Sequence, residues 1–211
     1  MKVSSKSSRD KAAEQRLQRR QKIMDAASRL FAQLGYSECD MDRVATRVRI
    51  AKGTIYLYFP SKEQLFLACV DWGMSQMQQA IRAAEESTAD PFDKIAKAIR
   101  AYLTFFTDHP QYVELLIQER AIFKNRKRPT YFEHRDTARV YWREFYKNLI
   151  DQGRLRPDIQ VDTLLDTIGN LVYGTMFTNH FLGKKSACEQ EVNILDIVFR
   201  GILSDKERAG T

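Results

Sequence analysis

The segment from Lys52 to Phe59 carries the side chains best suited to contact a polyanion. Ile55 and Phe59 lie four residues apart and can anchor a short helix on a core, so its remaining residues point at least partly outward. Those residues are Lys52, Gly53, Thr54, Tyr56, Leu57 and Tyr58. Their hydroxyl and amide groups can bond to phosphates or base edges, and the glycine permits close backbone approach. The alternative is a tight helical corner whose tyrosines only pack.

Two short helices must position this segment. Asp40 is predicted to cap a helix over 41–48, and a second helix follows near 52–58. Two helices of about two turns each, joined by a short turn, have the spacing of a helix-turn-helix. Ser61 with Gln64 forms a capping-box pattern that opens the next, long helix. Lys62 lies at the start of that helix, where its cation and the free N–H groups can meet one phosphate.

The charge of the chain is concentrated in the same region. The 211 residues carry a net charge of +7, and residues 1–60 alone hold 13 Lys or Arg against 6 Asp or Glu. The whole excess therefore lies in the first 60 residues, and the bases and acids of the remainder cancel. This asymmetry indicates a polyanionic partner, nucleic acid or anionic membrane, for the N-terminal segment.

The hydrophobic pattern along the rest of the chain is helical throughout and predicts an all-α protein of about nine helices. Besides the two short helices, the predicted spans are 12–34, 61–85, 91–108, 110–124, 130–151, 160–182 and 188–204. Gly35 is predicted to stop the first helix. No apolar run is long enough for a membrane span. The three cysteines lie far apart and the three histidines lack metal-ligand spacing, so the sequence predicts a reducing cytoplasm and no metal or other cofactor.

Residues 21–66, QKIMDAASRLFAQLGYSECDMDRVATRVRIAKGTIYLYFPSKEQLF, resemble the TetR/AcrR family of bacterial transcriptional repressors. The stretch follows the family pattern I-x-x-A-A-x-x-L-F-x-x-x-G-Y, then I-A, then K-G-T-I-Y-x-Y-F-x-S-K-E-x-L. About twenty positions match in order. The remaining two-thirds of the chain matches only in helix count and in one turn over residues 153–158.

The resemblance implies a division of labour along the chain. A disordered basic tail (1–12) precedes a helix-turn-helix DNA-binding domain (13–60), and residues 61–211 form a ligand-binding and dimerisation domain. It places Thr54, Tyr56, Leu57 and Tyr58 on the recognition helix and Lys62 and Arg43 at backbone phosphates. This sequence departs from the pattern twice. Arg49 stands where the family usually has the turn glycine, so a non-glycine residue must take that backbone conformation, and Arg49 is expected to contact a phosphate. Ala51 replaces the usual serine cap, losing about 1 kcal/mol of capping.

The segment 61–211 shows no nucleophile elbow, phosphate-binding loop or zinc-protease motif, so no enzymatic activity is predicted. It is rich in aromatic residues, most of which must form the core. We predict that some line a cavity for a small, mainly apolar effector, with three polar anchors that could equally lie at the surface. The predicted ligand residues are Trp72, Met77, Phe106, Leu116, Glu119, Phe123, Tyr141, Phe145, Asn170, Tyr173, Phe177 and His180.

Helices 160–182 and 188–204 are predicted to form a homodimer interface, since the former carries apolar or small residues on two faces. Burial of that helix within one chain is the alternative. The favoured function is a cytoplasmic, ligand-responsive repressor that binds a palindromic double-stranded DNA operator as a dimer. Two other functions remain: a constitutive DNA-binding protein without an effector, and a basic membrane-surface protein. The membrane-surface hypothesis is disfavoured because the basic residues lie mostly upstream of the apolar stripe from Ile23 to Leu34.

Overall fold

The computed structural model describes residues 8–183 and 185–203, and these fold into nine α-helices. The helices are α1 (Ser8–Glu38), α2 (Met41–Val48), α3 (Lys52–Tyr56), α4 (Lys62–Glu86), α5 (Pro91–Asp108), α6 (Gln111–Ile122), α7 (Thr130–Asp151), α8 (Val161–Leu182) and α9 (Ala187–Ile202). The described residues form no β-strand, and their one β-type pairing is an isolated bridge between Leu155 and Leu203. The predicted all-α class is confirmed.

The two ends of α1 differ from the prediction. The helix begins at Ser8, so residues 8–12 of the predicted tail are helical, and residues 1–7 lie outside the described part of the chain. Residues 10–16 consist largely of strong helix formers, which extends the helix toward its N-terminus. At the other end Gly35 leaves the helical region with φ 79° and ψ 160°, yet the helical assignment resumes and runs to Glu38. The predicted stop at Gly35 is therefore a kink.

The chain forms two compact units, and they do not divide at residue 60. Unit 1 holds the described residues up to Gly73 together with Glu114–Arg126, and unit 2 holds Met74–Val113 and the described residues from Lys127 onward. The first half of α4 and most of α6 belong to unit 1, and both segments bury side chains there, Phe66 on α4 and Leu115 on α6. The boundary at residue 60 stays a prediction about function, and the compact units are defined by packing.

The core of unit 1 is built around a cluster of aromatic rings. Phe31 and Phe66 are fully buried and meet edge to face with their centroids 5.1 Å apart. Tyr36 lies 5.2 Å from Phe66 and 5.4 Å from Phe123, so rings from α1, α4 and the segment after α6 join in one cluster. Gln118 adds a hydrogen bond from its Nε2 to the backbone oxygen of Phe31 at 2.9 Å. Helix α2 packs against α1, which carries part of this cluster, and α3 packs against α2.

Unit 2 is centred on the packing of α5 against α8 and α9. Arg100 on α5 forms an ion pair with Glu191, whose carboxylate is buried on α9. The turn after α7 contacts the C-terminal end of α9, because the Arg156 amide donates a hydrogen bond to the backbone oxygen of Ile202 at 3.0 Å. Phe92 and Phe199 meet edge to face at 5.7 Å. These contacts fix α5, the helix that provides one wall of the cavity described below.

Candidate DNA-binding surface and ligand cavity

The helices α2 and α3 form a helix-turn-helix whose turn contains a left-handed arginine. Asp40 caps α2, accepting a hydrogen bond from the Arg43 amide at 2.8 Å, as predicted. Arg49 adopts φ 57° and ψ 47°, and the Ile50 amide then reaches back to the Ala45 oxygen at 3.1 Å. Of the described residues other than glycine, Arg49 is the one with a positive φ. The prediction that a non-glycine residue must take this conformation is confirmed.

The short helix α3 buries one side and exposes the other. Ile55 and Phe59 are buried, as their spacing predicts, whereas Tyr56 is 41% and Leu57 is 76% exposed. An exposed leucine in a turn-and-helix corner has no packing role in the described chain and is available to contact a thymine methyl group. Ala51 precedes α3 without any side-chain cap, as predicted. Helix α3 therefore depends on its buried anchors for stability.

The remaining predicted contact residues flank this apolar tip with polar groups. Thr54 and Tyr58 are half-buried, and Gly53 is exposed with open space around its Cα. Arg43 and Arg49 are exposed on α2 and at the turn, and Arg47 beside them is also exposed, although the prediction did not include it. Together these residues give one surface with cations beside hydroxyl groups, which is the composition that phosphate and base contacts require.

Two predicted phosphate-binding lysines are already engaged within unit 1. The Nζ atom of Lys52 lies 2.6 Å from the Asp42 carboxylate, and this hydrogen bond raises the lysine's pKa. The Nζ atom of Lys62 donates to the backbone oxygen of Ser37 at 2.9 Å and lies 4.7 Å from the centre of the Tyr36 ring. Both side chains are held in place, so each presents its remaining N–H groups in a defined direction.

Part of the N-terminal charge stacks on the recognition segment. The Arg16 guanidinium lies 5.8 Å from the Tyr58 ring centre, and that of Arg20 lies 5.1 Å from the Phe59 ring centre. Cation–π contacts at exposed sites contribute roughly 0.5–1 kcal/mol each. These two arginines of α1 therefore also orient α3, a role that composition alone does not distinguish from phosphate binding.

Unit 2 contains a cavity of about 440 Å³ between α4, α5, α7 and α8. Its aromatic walls come from α5 and α7 and consist of Tyr102, Tyr131, Tyr141, Trp142 and Tyr146. Aliphatic side chains from α4, α5 and α8 complete the apolar lining: Met77, Ile81, Ile95, Ile99, Leu165, Ile168 and Val172. A cavity of this size and lining is typical of small-molecule sites.

Two buried phenol groups of this lining form a hydrogen bond with each other. The hydroxyls of Tyr102 and Tyr131 lie 3.0 Å apart, and the Tyr102 hydroxyl also lies 3.7 Å from the Met176 sulfur. Both side chains are buried, which raises the pKa of Tyr131 to about 12 and that of Tyr102 well above its usual value. Both phenols stay neutral at physiological pH, so these residues offer ring faces rather than charge.

Several ionisable side chains also line the cavity, and Glu85 and Arg135 are two of them with buried polar atoms. Glu85 on α4 is 7% exposed, accepts a hydrogen bond from Tyr141, and has a pKa raised mainly by burial. Arg135 on α7 has its Nε atom buried and without a hydrogen-bond partner, and its guanidinium lies 4.9 Å from the Phe132 ring centre. These two polar groups distinguish the cavity from a purely apolar void.

The structure brings two of the predicted ligand residues to this cavity, Met77 and Tyr141, and places the other ten elsewhere. Four belong to unit 1, where Glu119 is paired with Arg126 at 3.6 Å and Phe123 packs in the ring cluster: Trp72, Leu116, Glu119 and Phe123. The other six belong to unit 2 but outside the lining: Phe106, Phe145, Asn170, Tyr173, Phe177 and His180. Two of the twelve thus line the cavity, and the ligand-binding role of all twelve stays a prediction.

The phase of each helix explains why these six residues of unit 2 lie outside the cavity lining. Phe106 packs against Tyr102 and Phe105, on the α5 side that faces the core. Phe145 packs on Trp142, while its neighbour Tyr146 is the residue that lines the cavity. On α8, Asn170 is exposed, and Tyr173 lies against Tyr131 with ring centres 4.6 Å apart.

The last two predicted polar or aromatic residues of α8 also lie away from the cavity. Phe177 packs on Tyr173 with ring centres 4.8 Å apart, and His180 lies against Phe181 at 5.2 Å. The lining residues that the prediction missed include Tyr102, Tyr131 and Arg135. The sequence did offer a signal for these residues: each places a phenol or a cation within a helical stripe that otherwise faces the core.

Helices α8 and α9 carry apolar side chains that the chain itself leaves exposed. Phe181 and Leu182 at the end of α8 are 67% and 58% exposed, and Val192 and Ile197 on α9 are 58% and 66% exposed. Ile194 and Val198 on the opposite side of α9 are buried. Helix α9 is thus apolar on two faces, and one chain covers only one of them.

Across the described ranges, no three His, Cys, Asp or Glu side chains come together as a set of metal ligands. Among the helices assigned above, none combines the length and the apolar character that a membrane crossing requires.

The fold and the α2–α3 surface define a helix-turn-helix protein with a helical body. Residues 23–69, which include α2 and α3, match the family model described as "Bacterial regulatory proteins, tetR family". The HTH-type transcriptional repressor KstR2 of Mycobacterium tuberculosis is 24% identical over 201 residues, which cover 93% of this chain and 98% of KstR2. The uncharacterized HTH-type transcriptional regulator YerO of Bacillus subtilis is 30% identical over 117 residues, which cover 54% of this chain.

This chain spans 40–54% of the length of three of the curated relatives it matches, YerO among them. The structure of the transcriptional regulator FadR from Bacillus subtilis in complex with stearoyl-CoA has a similar fold, with a TM-score of 0.72 and 20% identity over 84% of this chain and 96% of that one. The relatives named here are transcriptional regulators. They support the prediction that this protein is a regulator and not an enzyme.

Proposed function

We propose that the protein is a transcriptional repressor that binds a palindromic DNA operator as a homodimer and releases it when a small, largely apolar molecule occupies the cavity of unit 2. The single observation that carries the proposal is the pairing, in one chain, of an exposed recognition surface on α3 with a separate apolar cavity. Repression is favoured over activation because KstR2, which aligns along nearly its whole length, is named a repressor.

The shortness of α3 supports the dimer. A helix of 5 residues spans about 8 Å at roughly 1.5 Å per residue, enough for a few base pairs of one major groove. Two such helices spaced by one helical repeat of DNA, about 34–36 Å, read a longer palindrome. The exposed apolar residues of α8 and α9 are the surface that we assign to the two-fold interface, as a four-helix arrangement shared by two chains.

Helix α4 is the element through which ligand and DNA binding would communicate. Its residues up to Gly73 belong to unit 1, and Met77, Ile81 and Glu85 farther along the same helix line the cavity of unit 2. A ligand that favours one position of α4 shifts the population of dimers toward one spacing of the recognition helices. The coupling is reciprocal, so operator DNA must weaken ligand binding by the same factor.

The cytoplasm is the compartment that this function requires. Cys39, Cys69 and Cys188 are free thiols, and the burial of Cys69 raises its pKa. Reduced cysteines suit a protein that works beside the chromosome.

The test is selection of duplexes from a random pool by the full-length protein, followed by footprinting of the winners. We expect a palindrome with half-sites about one DNA turn apart, and affinity that falls steeply with salt because bound phosphates release counterions. Leu57→Asp and Tyr56→Ala should abolish selection, while Val140→Asp on α7 should not. Binding that is equal for all duplexes would contradict a specific operator, and binding unaffected by any apolar ligand would favour a constitutive DNA-binding protein.

A further inference from the structure

One cation in the lining of the unit 2 cavity has a buried donor atom without an acceptor. Arg135 forms no ion pair with any described residue, and its Nε atom is buried without an acceptor. Asp166 is near enough to feel its charge, but Asp166 accepts its hydrogen bond from Arg139 at 2.5 Å. A buried guanidinium donor without an acceptor is unfavourable unless a ligand supplies one.

Other charged groups of the lining have partners or opposite charges nearby. Burial raises the pKa of Glu85, Tyr141 donates a hydrogen bond to it, and the cations of Lys94 and Arg82 act on it from nearby. Arg139 is neutralised by Asp162 at 2.7 Å and by Asp166. Among the cations of the described lining, Arg135 is the one with a buried donor atom that has no acceptor, so it is the one we assign to a ligand.

The Arg135 side chain lines the cavity beside Gly169 and two aromatic residues. Gly169 on α8 faces this side chain, and a Cβ atom at Gly169 would stand 4.0 Å from the Arg135 Cδ. One turn before Arg135 on α7 lies Tyr131, and Trp142 follows farther along; both line the same cavity. An arginine set in a stripe of aromatic walls offers a planar, permanently charged fork, which matches carboxylate and phosphate groups.

We propose that the effector of this protein is an otherwise apolar molecule bearing an oxyanion, carboxylate or phosphate, and that Arg135 binds this group. The inference rests on the proposed function, since it names the chemical class of the effector for the same cavity. The apolar part lies among the rings and aliphatic side chains of the lining. Neutral and cationic molecules with the same apolar part bind more weakly, because they leave the guanidinium without an acceptor.

The test uses four probes that share one alkyl chain: decanoate, decyl phosphate, decanol and decylamine. Trp142 lines the cavity, and the chain has 2 tryptophans, so the full-length Trp72→Phe protein reports binding through Trp142 fluorescence. We expect one or both anions to bind more tightly than decanol, and decylamine to bind most weakly. The ratio of decanoate to decyl phosphate affinity tells which oxyanion is preferred.

Three variants in that background separate the charge from the fold. Arg135→Gln should weaken the preferred anion about 10- to 100-fold, the range for a hydrogen bond to a charged group, and leave decanol unchanged. Arg135→Lys should retain part of the preference. Arg143→Gln, on the same helix but paired with Asp162 outside the lining, is the matched control and should change neither. Thermal melts establish that each variant is folded.

The inference is overturned if decanol binds as tightly as both anions, if folded Arg135→Gln keeps full affinity for the preferred anion, or if neither anion binds. Operator release is measured separately. Release by a neutral ligand in any of those cases would leave the proposed repressor function standing. Anion binding that depends on Arg135 in a protein that selects no duplex would instead support the ligand class and contradict the repressor.

Discussion

The ammonium nitrogen of Lys62 donates a hydrogen bond to the backbone oxygen of Ser37 at 2.9 Å, and so joins the first turn of α4 to the end of α1. Ser37 follows the kink at Gly35, where the chain turns toward α2. The lysine that the sequence suggests as a phosphate ligand therefore also holds together the elements that carry the helix-turn-helix.

Replacing Lys62 should affect DNA binding and the fold together. Lys62→Met removes a cation and the bond to Ser37, so we expect weaker binding to every duplex, a salt slope reduced by about one unit per chain, and a free energy of unfolding lower by about 1 kcal/mol. Salt titrations of operator binding and urea unfolding measure the two effects. Lys147→Met, an exposed charge loss on α7, is the control. An unchanged salt slope would remove Lys62 from the DNA contacts.

Arg49 should reveal a conflict between stability and binding. Its left-handed backbone costs a non-glycine residue roughly 1–2 kcal/mol, so Arg49→Gly should be more stable than Arg49→Ala by about 1 kcal/mol. Both variants lose the guanidinium, and both should therefore bind operator more weakly than the parent. Equal stability of the two variants would mean that the turn is not strained, and undiminished binding would mean that Arg49 touches no phosphate.

Glu85 should make the stability of unit 2 depend on pH. Burial raises its pKa above the usual 4.5, so the folded protein holds this proton more tightly than the unfolded chain does. The stability from the neutral carboxyl is full below pH 4.5 and is lost as the pH rises through the folded pKa. Glu85→Gln cannot ionise, so its advantage over the parent should grow as the pH rises above 4.5. Urea unfolding at several pH values measures this, with exposed Glu86→Gln as control.

A charge on the exposed face of α9 should separate the proposed dimer. Ile197→Glu places two like charges near each other across the two-fold axis, whereas in a monomer this 66% exposed position tolerates the change. Sedimentation should show a folded monomer with weakened operator binding. Val140→Glu makes the same change at a position of similar exposure on α7 and should leave the dimer intact. A dimer that persists in Ile197→Glu would exclude this face.

Local features of the fold were predictable from neighbouring residues. Helix α7 begins at Thr130 and ends at Asp151, as its periodicity predicts. Asp40 as a cap and Arg49 as the left-handed turn residue depend on hydrogen bonds that reach no more than five residues along the chain. Such interactions join residues that are close together in the sequence, so they can be predicted from it. The exposed face of α3 was predictable for the same reason, since Ile55 and Phe59 fix which side is buried.

The cavity required the tertiary structure. Tyr102 and Tyr131 are 29 positions apart, and neither residue's neighbours indicate that the two hydroxyls meet. On α7 a shift of one residue decides between Phe145, which packs on Trp142, and Tyr146, which lines the cavity. By itself the sequence determined an all-α chain with a basic helix-turn-helix. Only the packing of α4, α5, α7 and α8 decided which rings enclose space and left Arg135 unpaired among them, because helix phase is set by contacts between residues far apart in the chain.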